Sequence, residues 1–165
     1  MKFQALLVTV IAALAAFGCG KQDSSSGAAA PAATAAQAGP RTIEITAGDA
    51  MKFNITAIDA KPGEELKVIL TNIGTQPKEV MGHNWILLKA GTDVAAFDAA
   101  AVTAKATDYV PDALKDEIIA HIPLLGPRKS DEVTFKAPDQ PGEYPFLCSF
   151  PAHYQVGMKG TLTVH

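Results

Sequence analysis

The stretch "FLCSFPAHYQVGMKG", residues 146–160, contains a cysteine, a histidine and a methionine at intervals of five residues. Apolar and polar residues alternate up to Cys148, which predicts a strand, whereas residues 149–151 (Ser-Phe-Pro) predict the start of a loop. His153 and Met158 lie in that loop, and a loop of this size can curl three side chains around one ion. Three interpretations of this stretch are therefore open: a metal site, a reactive thiol, or an ordinary apolar strand followed by a turn.

The first 40 residues indicate export. Residues 1–18 combine Lys2 with an apolar run shorter than the roughly 20 residues of a membrane-spanning helix, which is typical of a signal peptide. Cys19 follows a glycine and predicts lipoprotein processing, with ordinary signal cleavage nearby as the alternative. Residues 19–40 are rich in Ala, Ser and Pro, which predicts a flexible tether before a domain at 41–165. We expect a periplasmic or other extracytoplasmic location, with membrane association through a lipidated N-terminus.

The charge of the chain excludes one class of partner. Its 14 basic residues face 17 acidic ones, which gives a formal net charge of −3 at pH 7. Nucleic-acid-binding domains carry a basic patch or stripe, and nothing of this kind is present. We expect no nucleic-acid partner.

The rest of the chain is predominantly strand-like. Apolar and polar residues alternate with period two in short segments, separated by turn signals such as Lys-Pro-Gly at 61–63. The segments are RTIEITA, MKFNIT, ELKVILTN, NWILLKA, DEVTFKA, GEYPFLC and GTLTVH. Seven or so half-buried antiparallel strands predict an all-β sandwich of two sheets.

One Ala-rich segment breaks this pattern at residues 92–120. Alanine favours helix, and Thr92 and Asp93 are suitable N-cap residues. We therefore predict a helical insertion between strands, broken at Pro111.

The chain has two cysteines, and Cys19 is assigned to lipoprotein processing. Cys148 is then the single thiol of the predicted domain, which limits the roles that it can have. A lone thiol in an oxidising compartment is either reactive or a metal ligand. A nucleophilic cysteine needs a base and an orienting group, and no motif of a thiol hydrolase surrounds Cys148. Structural zinc takes four Cys or His ligands, whereas this stretch offers two. A thiolate, two imidazoles and a weak axial thioether suit copper instead.

The second histidine is found in "VMGHNWILL", residues 80–88, where His83 opens a predicted strand. Gly82 permits close approach of the backbone, and Asn84 can brace the site through a hydrogen bond. His83 taken alone is as well explained as a hydrogen-bonded core histidine. Together with the lone thiol, it completes a set suited to copper.

Five segments carry a family resemblance: VMGHNW, IIAH, DEVTF, CSFPAH and MKGTLTV, in this order. They resemble the azurin branch of the blue (type 1) copper cupredoxins, over nearly all of residues 43–165. The resemblance implies an eight-stranded Greek-key β-sandwich with a helical insertion, and one-electron transfer between redox proteins. It also implies one copper ion bound near one end by four side chains, which are those of His83, Cys148, His153 and Met158.

Two departures from the azurin pattern are visible. The chain lacks both cysteines of the azurin disulfide, and Met158 follows His153 by five residues, where azurins have four. The longer loop and the anchored tether are more similar to auracyanin, an azurin-like copper protein of photosynthetic green bacteria. We therefore expect four ligands, with the Gly82 carbonyl oxygen distant from the metal.

The resemblance also implies how the site is used. Transient redox partners are expected to dock on the loop around His153, whose ring is partly exposed in this family. Backbone amides near Asn84 and Phe150 are expected to donate to the cysteine sulfur. Four protein ligands leave no open position, so we expect neither catalysis nor a small-molecule substrate. The alternative function is a copper storage or delivery lipoprotein, which would more naturally display exposed Met and His clusters.

Overall fold

The computed structural model describes residues 39–165, so the predicted signal peptide, Cys19 and nearly all of the tether lie outside the described residues. The elements are, in chain order, β1 (Arg41–Ala47), β2 (Ala57–Ala60), β3 (Glu65–Asn72), α1 (Lys78–Met81), β4 (His83–Leu88), α2 (Val94–Ala101), two 3₁₀ helices (Lys105–Thr107 and Asp112–Glu117), β5 (Ile118–Leu125), β6 (Ser130–Lys136), β7 (Gly142–Leu147) and β8 (Lys159–Val164). No helix in residues 39–165 is long and apolar enough to span a membrane.

The eight strands form two sheets, which confirms the predicted all-β cupredoxin sandwich with a helical insertion. One sheet has the order β1-β3-β6, and the other has the order β2-β8-β7-β4-β5. Strands β1 and β3 pair in parallel, as do β2 and β8. The prediction that all strands are antiparallel is therefore wrong. Because β1 and β2 belong to different sheets, they cannot form a simple hairpin, and each lies parallel to a strand distant in sequence.

The predicted strand MKFNIT is also wrong. Met51 has a left-handed backbone (φ 53°), and its N–H donates to the Gly48 carbonyl at 2.9 Å, which makes a turn. Phe53 forms only an isolated bridge with Ala47, and the next strand begins at Ala57. The apolar residues of this segment pack against the core from a turn, which produces the same alternation as a strand.

The helical insertion is confirmed, although it is shorter than predicted. Asp93 is the N-cap of α2, and its carboxylate accepts from the Ala96 N–H at 3.0 Å. Thr92 instead donates its hydroxyl to Glu117 at 2.8 Å. The last residues assigned to the insertion form the start of β5, because the β-branched pair at 118–119 continues into a strand that pairs with β4.

Strand β4 is buried along its whole length, and this places it at the centre of the fold. Trp85 and Leu87 point into the core between the two sheets. Ile86 and Leu88 point to the opposite face, where they pack with Phe97 of α2. The insertion thus covers the outer face of the five-stranded sheet behind β4.

Candidate metal centre

His83 is the first residue of β4, and the residue before it fixes where the strand begins. A Cβ on Gly82 would lie 2.6 Å from the Lys78 carbonyl oxygen and 2.8 Å from Leu124 Cγ. Real side-chain carbons do not approach so closely. The close backbone approach predicted for Gly82 is therefore confirmed, and it seats His83 against β5.

The other three predicted ligands lie on the connection between β7 and β8. Cys148 directly follows β7, and Met158 directly precedes β8. The Cys148 N–H donates to the Met158 carbonyl at 3.1 Å, which joins the two ends of the loop. Within the loop, His153 donates its N–H to the Phe150 carbonyl at 3.0 Å and accepts from the Met158 N–H at 2.9 Å. These turns direct the loop residues back toward Cys148.

The fold brings His83, Cys148 and His153 together. Their ligand atoms all lie within 4.8 Å of one another, and all three residues are buried. Cys148 Sγ is 3.4 Å from His153 Nδ1, and the centroids of the two imidazole rings are 4.9 Å apart. Met158 is fully buried, and it completes an arrangement typical of a type 1 copper site.

The hydrogen bonding of His83 is the observation that tests whether a metal fits here. Both of its ring nitrogens are buried and neither has a partner in good hydrogen-bond geometry, although the Gly48 backbone lies close enough to raise the pKa of the ring. A buried polar group without a partner costs free energy. A metal ion bound by one nitrogen would supply the missing interaction, and the thiol and second imidazole complete a donor set suited to copper. The core-histidine alternative requires hydrogen-bonded nitrogens, whereas the Gly48 backbone can serve at most one nitrogen of His83 and leaves the other without a partner.

Burial also sets the protonation of the two imidazoles. It lowers the pKa of His83 to about 4, although the nearby Asp49 carboxylate acts in the opposite direction. Burial likewise lowers the pKa of His153 to about 4, with a smaller contribution from His83. Both rings are therefore neutral at pH 7, which is the form that binds a metal.

Burial and nearby backbone amides act in opposite directions on the pKa of the Cys148 thiol. Burial raises the pKa of the thiol to about 12, whereas the backbone N–H groups of Asn84 and Phe150 lower it by hydrogen bonding. This direction agrees with the prediction that the two amides donate to the sulfur, which stays a prediction. They stabilise the thiolate and hence the metal-bound form.

Asn84 joins the two segments that carry the site. Its side-chain oxygen accepts from the Ser149 N–H at 2.8 Å, and its amide group donates to Ser149 Oγ at 2.8 Å and to the Asp108 carbonyl at 3.1 Å. The predicted bracing role of Asn84 is thus confirmed. Ser149 in turn donates its hydroxyl to the Tyr109 carbonyl at 2.6 Å.

Sequence reasoning missed several residues around this centre. Ser149 could have been found from its position beside Cys148. Asp98 and Lys52 gave no signal, because they contact the loop residues Gln155 and Val156 from 57 and 104 positions away. Such contacts depend on the tertiary fold.

One implied feature differs from expectation, because the His153 ring is not partly exposed. This residue exposes only 2 % of its surface. The remaining two histidines, His121 and His165, are exposed and lie outside the buried cluster. Trp85 is a core residue.

Comparison with known proteins agrees with the geometry. A model of the copper binding proteins of the plastocyanin/azurin family matches residues 41–165. Azurin from Pseudomonas aeruginosa is 38% identical over 127 residues, which cover 74% of this chain and 84% of that protein. Auracyanin-B from Chloroflexus aurantiacus is 36% identical over 129 residues, covering 75% of this chain and 52% of the relative, so the chain spans about half of its length.

Solved structures lead to the same family. Dithionite-reduced auracyanin from Roseiflexus castenholzii superposes with a TM-score of 0.67 at 38% identity, covering 77% of this chain and 99% of that one. Auracyanin A from Chloroflexus aurantiacus, described as a "blue" copper protein, gives a TM-score of 0.68 at 35% identity, covering 77% of this chain and 100% of its own. The predicted resemblance and the predicted copper cofactor are therefore confirmed, and the chain belongs to the plastocyanin/azurin family of copper-binding proteins.

Proposed function

We propose that this protein carries single electrons between extracytoplasmic redox proteins, at one type 1 copper ion. The proposed ligands are the side chains of His83, Cys148, His153 and Met158. The observation that carries this proposal is the buried His83 ring, which offers a nitrogen without a good hydrogen-bond partner within 4.8 Å of a thiol and a second imidazole. That donor set matches a His₂Cys site with a weak axial Met.

Each proposed ligand has a distinct role. Copper in this donor set supplies a one-electron centre that alternates between Cu(I) and Cu(II). Cys148 binds as the thiolate, and His83 and His153 bind as neutral imidazoles. Met158 is the weak axial ligand, which tunes the potential. Burial of all four side chains excludes water, and the brace between Asn84 and Ser149 holds the two segments in one geometry during electron transfer.

The same arrangement supports a carrier over an enzyme. Four protein side chains fill the positions around the proposed metal, which leaves none open for a substrate. A copper storage or delivery protein is the alternative, and it would hold its metal at exposed Met and His residues that exchange quickly. Here the proposed ligands are buried.

Copper reconstitution tests the proposal. We expect Cu(II) to produce an intense visible thiolate-to-copper band that is lost in Cys148→Ala, and a single reversible one-electron couple. A colourless, rapidly exchanging Cu(I) complex would support delivery instead and overturn the carrier function. His121→Ala is the matched control, since this exposed histidine lies outside the cluster and its loss leaves the band unchanged.

Partner docking is proposed at an apolar patch on the loop around His153. Val156 is the most exposed large apolar side chain of this loop, at 44 %. Transient redox partners use small interfaces, which one loop can provide.

A charge in the patch tests the docking site. Val156→Asp is expected to slow second-order electron transfer to a redox partner about tenfold, because a buried unpaired charge disfavours the encounter complex. Val102→Asp is the matched control, since Val102 is equally exposed at 44 % but lies at the end of α2. Equal rates in the two variants would argue against the patch.

Location is the remaining part of the proposal. The signal-like residues 1–18 and the tether at 19–40 favour export, with Cys19 lipidated and the domain at 41–165 free to meet partners near a membrane. Mass spectrometry of the mature N-terminus is the test. An acylated Cys19 is expected, and an unmodified N-terminus elsewhere would remove the anchor from the proposal.

A further inference from the structure

The loop segment between His153 and Met158 is held by side chains from two distant parts of the fold. Asp98 of α2 accepts a hydrogen bond from Gln155 Nε2 at 2.8 Å. Lys52, in the turn after β1, donates from Nζ to the Val156 carbonyl. The two contacts fall on consecutive residues in the middle of the segment that is one residue longer than the azurin pattern. Gln155 and Val156 are themselves exposed, so core packing does not hold them in place.

Asp98 is an unusual residue for a short surface helix. It exposes only 2 % of its surface, and its Oδ1 is buried without a hydrogen-bond partner. Burial raises the pKa of this carboxyl, and the hydrogen bond from Gln155 lowers it. A buried carboxylate with one unpaired oxygen weakens a fold. Packing alone therefore does not account for an aspartate at this position.

The charge of Asp98 reaches the proposed metal site. The Asp98 carboxylate contacts Gln155, which lies two residues after His153, and burial of Asp98 leaves its charge poorly screened by solvent. A negative charge held close to a redox centre disfavours an added electron there. Lys52 carries the opposite charge, and its exposure to solvent screens its effect.

We propose that Asp98 and Lys52 are positioning residues that clamp Gln155 and Val156, and that their opposite charges shift the reduction potential in opposite directions. The clamp fixes the loop, and the charges set the ease with which an electron is accepted. Neutralising Asp98 raises the potential, whereas neutralising Lys52 lowers it by less. The effect on the reduction potential rests on the proposed electron-transfer function, whereas the clamp does not.

Amide hydrogen exchange in the metal-free protein tests the clamp. The Gly157 and Met158 N–H groups donate within the loop at 2.9 Å, to Tyr154 and His153, and they report its opening. Asp98→Ala and Lys52→Met are expected to speed their exchange about fivefold, which corresponds to the loss of one hydrogen bond. Asp98→Asn and Lys52→Arg are expected to exchange like the unmodified protein, because each keeps the bonding group. Unchanged exchange in both Asp98→Ala and Lys52→Met would overturn the clamp.

Voltammetry of the copper-loaded protein at pH 8 tests the charges. Asp98→Asn keeps the acceptor for Gln155 and removes the charge, so its potential is expected to rise while loop exchange stays unchanged. Lys52→Met is expected to lower the potential. Asp93→Asn is the matched control, because it removes a charge from the cap of the same helix, and asparagine caps a helix equally well. It is expected to leave the potential unchanged.

The outcomes distinguish a failure of the charge effect from a failure of the proposed electron-transfer function. Potentials that move the same way in Asp98→Asn and Lys52→Met, or an Asp98→Asn potential equal to that of the unmodified protein, would overturn the charge effect and leave only a structural contact. If the unmodified protein gives no visible band with copper, the proposed function fails. Amide exchange in the metal-free protein would still decide whether the clamp exists.

Discussion

Strand β4 and the loop from Cys148 to Met158 supply the same site by different physical means. All six residues of β4 are buried, the strand pairs with β5 on one side and β7 on the other, and His83 itself pairs with Leu125 of β5. The loop instead holds its three residues through turns and side-chain contacts, and its tip at Gln155 and Val156 is exposed. One side of the site is therefore fixed by the sheet, and the other can be adjusted by single side chains.

Acid treatment of the metal-free protein is expected to have the largest effect, because it acts on one histidine from each region. In the unfolded chain His83 and His153 take up protons near pH 6.5, but in the fold only near pH 4, since burial lowers both pKa values. Between these values the unfolded chain binds more protons. The free energy of unfolding therefore falls as the pH drops from 6.5 to 4, by on the order of 3 kcal/mol per histidine.

Denaturant unfolding at pH 7.5, 5.5 and 4 measures this loss. His83→Gln is expected to remove about half of the pH dependence, since it removes one of the two histidines. His121→Gln, at an exposed position, serves as the control and is expected to keep the full dependence. A metal-free protein whose stability is level between pH 6.5 and 4 would contradict the burial of both rings.

Asn84→Ala is expected to have the next largest effect, because it cuts the connection between the two regions. The variant loses the hydrogen bonds to Ser149 and Asp108 and leaves buried donors and acceptors unpaired, at about 2–3 kcal/mol of unfolding free energy. Thermal or denaturant unfolding measures the loss. A double-mutant cycle with Ser149→Ala measures the interaction free energy between Asn84 and Ser149. A coupling energy near zero would mean that the brace between the two segments is unimportant.

Gly82→Ala probes the strand side alone. The added Cβ would overlap the Lys78 carbonyl and Leu124, and the resulting shift at the start of β4 is expected to cost about 2 kcal/mol and to weaken copper binding. Copper titration and unfolding of the same samples measure both effects. Gly126→Ala is the matched control, since a Cβ there meets only Lys78 Cβ at 3.3 Å. Equal losses in the two variants would contradict the tight fit at Gly82.

Tyr154→Leu probes the loop side and has the smallest expected effect. Lys159 Nζ lies 4.5 Å from the centre of the Tyr154 ring, and an exposed cation–π contact of this kind contributes about 0.5 kcal/mol. Unfolding should therefore change little, whereas loop amide exchange should increase. A loss as large as that of Gly82→Ala would show that the loop is as tightly fixed as the strand.

The metal-binding cluster was predictable because its chemistry is local. Three of its residues are spaced by five positions, and a lone thiol close to a histidine in a chain predicted to be exported has few interpretations. Period-two alternation predicted the sandwich, and the segment at 80–88 supplied His83 as the second histidine. The bracing by Asn84 followed from its position beside a predicted ligand.

Other features were not predictable because period-two alternation does not specify backbone geometry. The turn at Met51 shows the same alternation as a strand, and only its left-handed backbone distinguishes the two. Parallel pairing of β1 with β3 depends on which sheet each strand joins, which no local pattern encodes. Asp98 read as an ordinary helix residue, since its partner Gln155 is distant in sequence.

The fully buried thiol of Cys148 has a consequence for the protein before it meets its metal. Oxidants and alkylating agents attack the thiolate, and burial raises the pKa of this thiol to about 12, so almost none of it is ionised at pH 7. Among residues 39–165 it is also the only cysteine. Before copper binds, the sulfur is therefore protected from oxidation, because the fold that prepares the site also keeps the thiol unreactive.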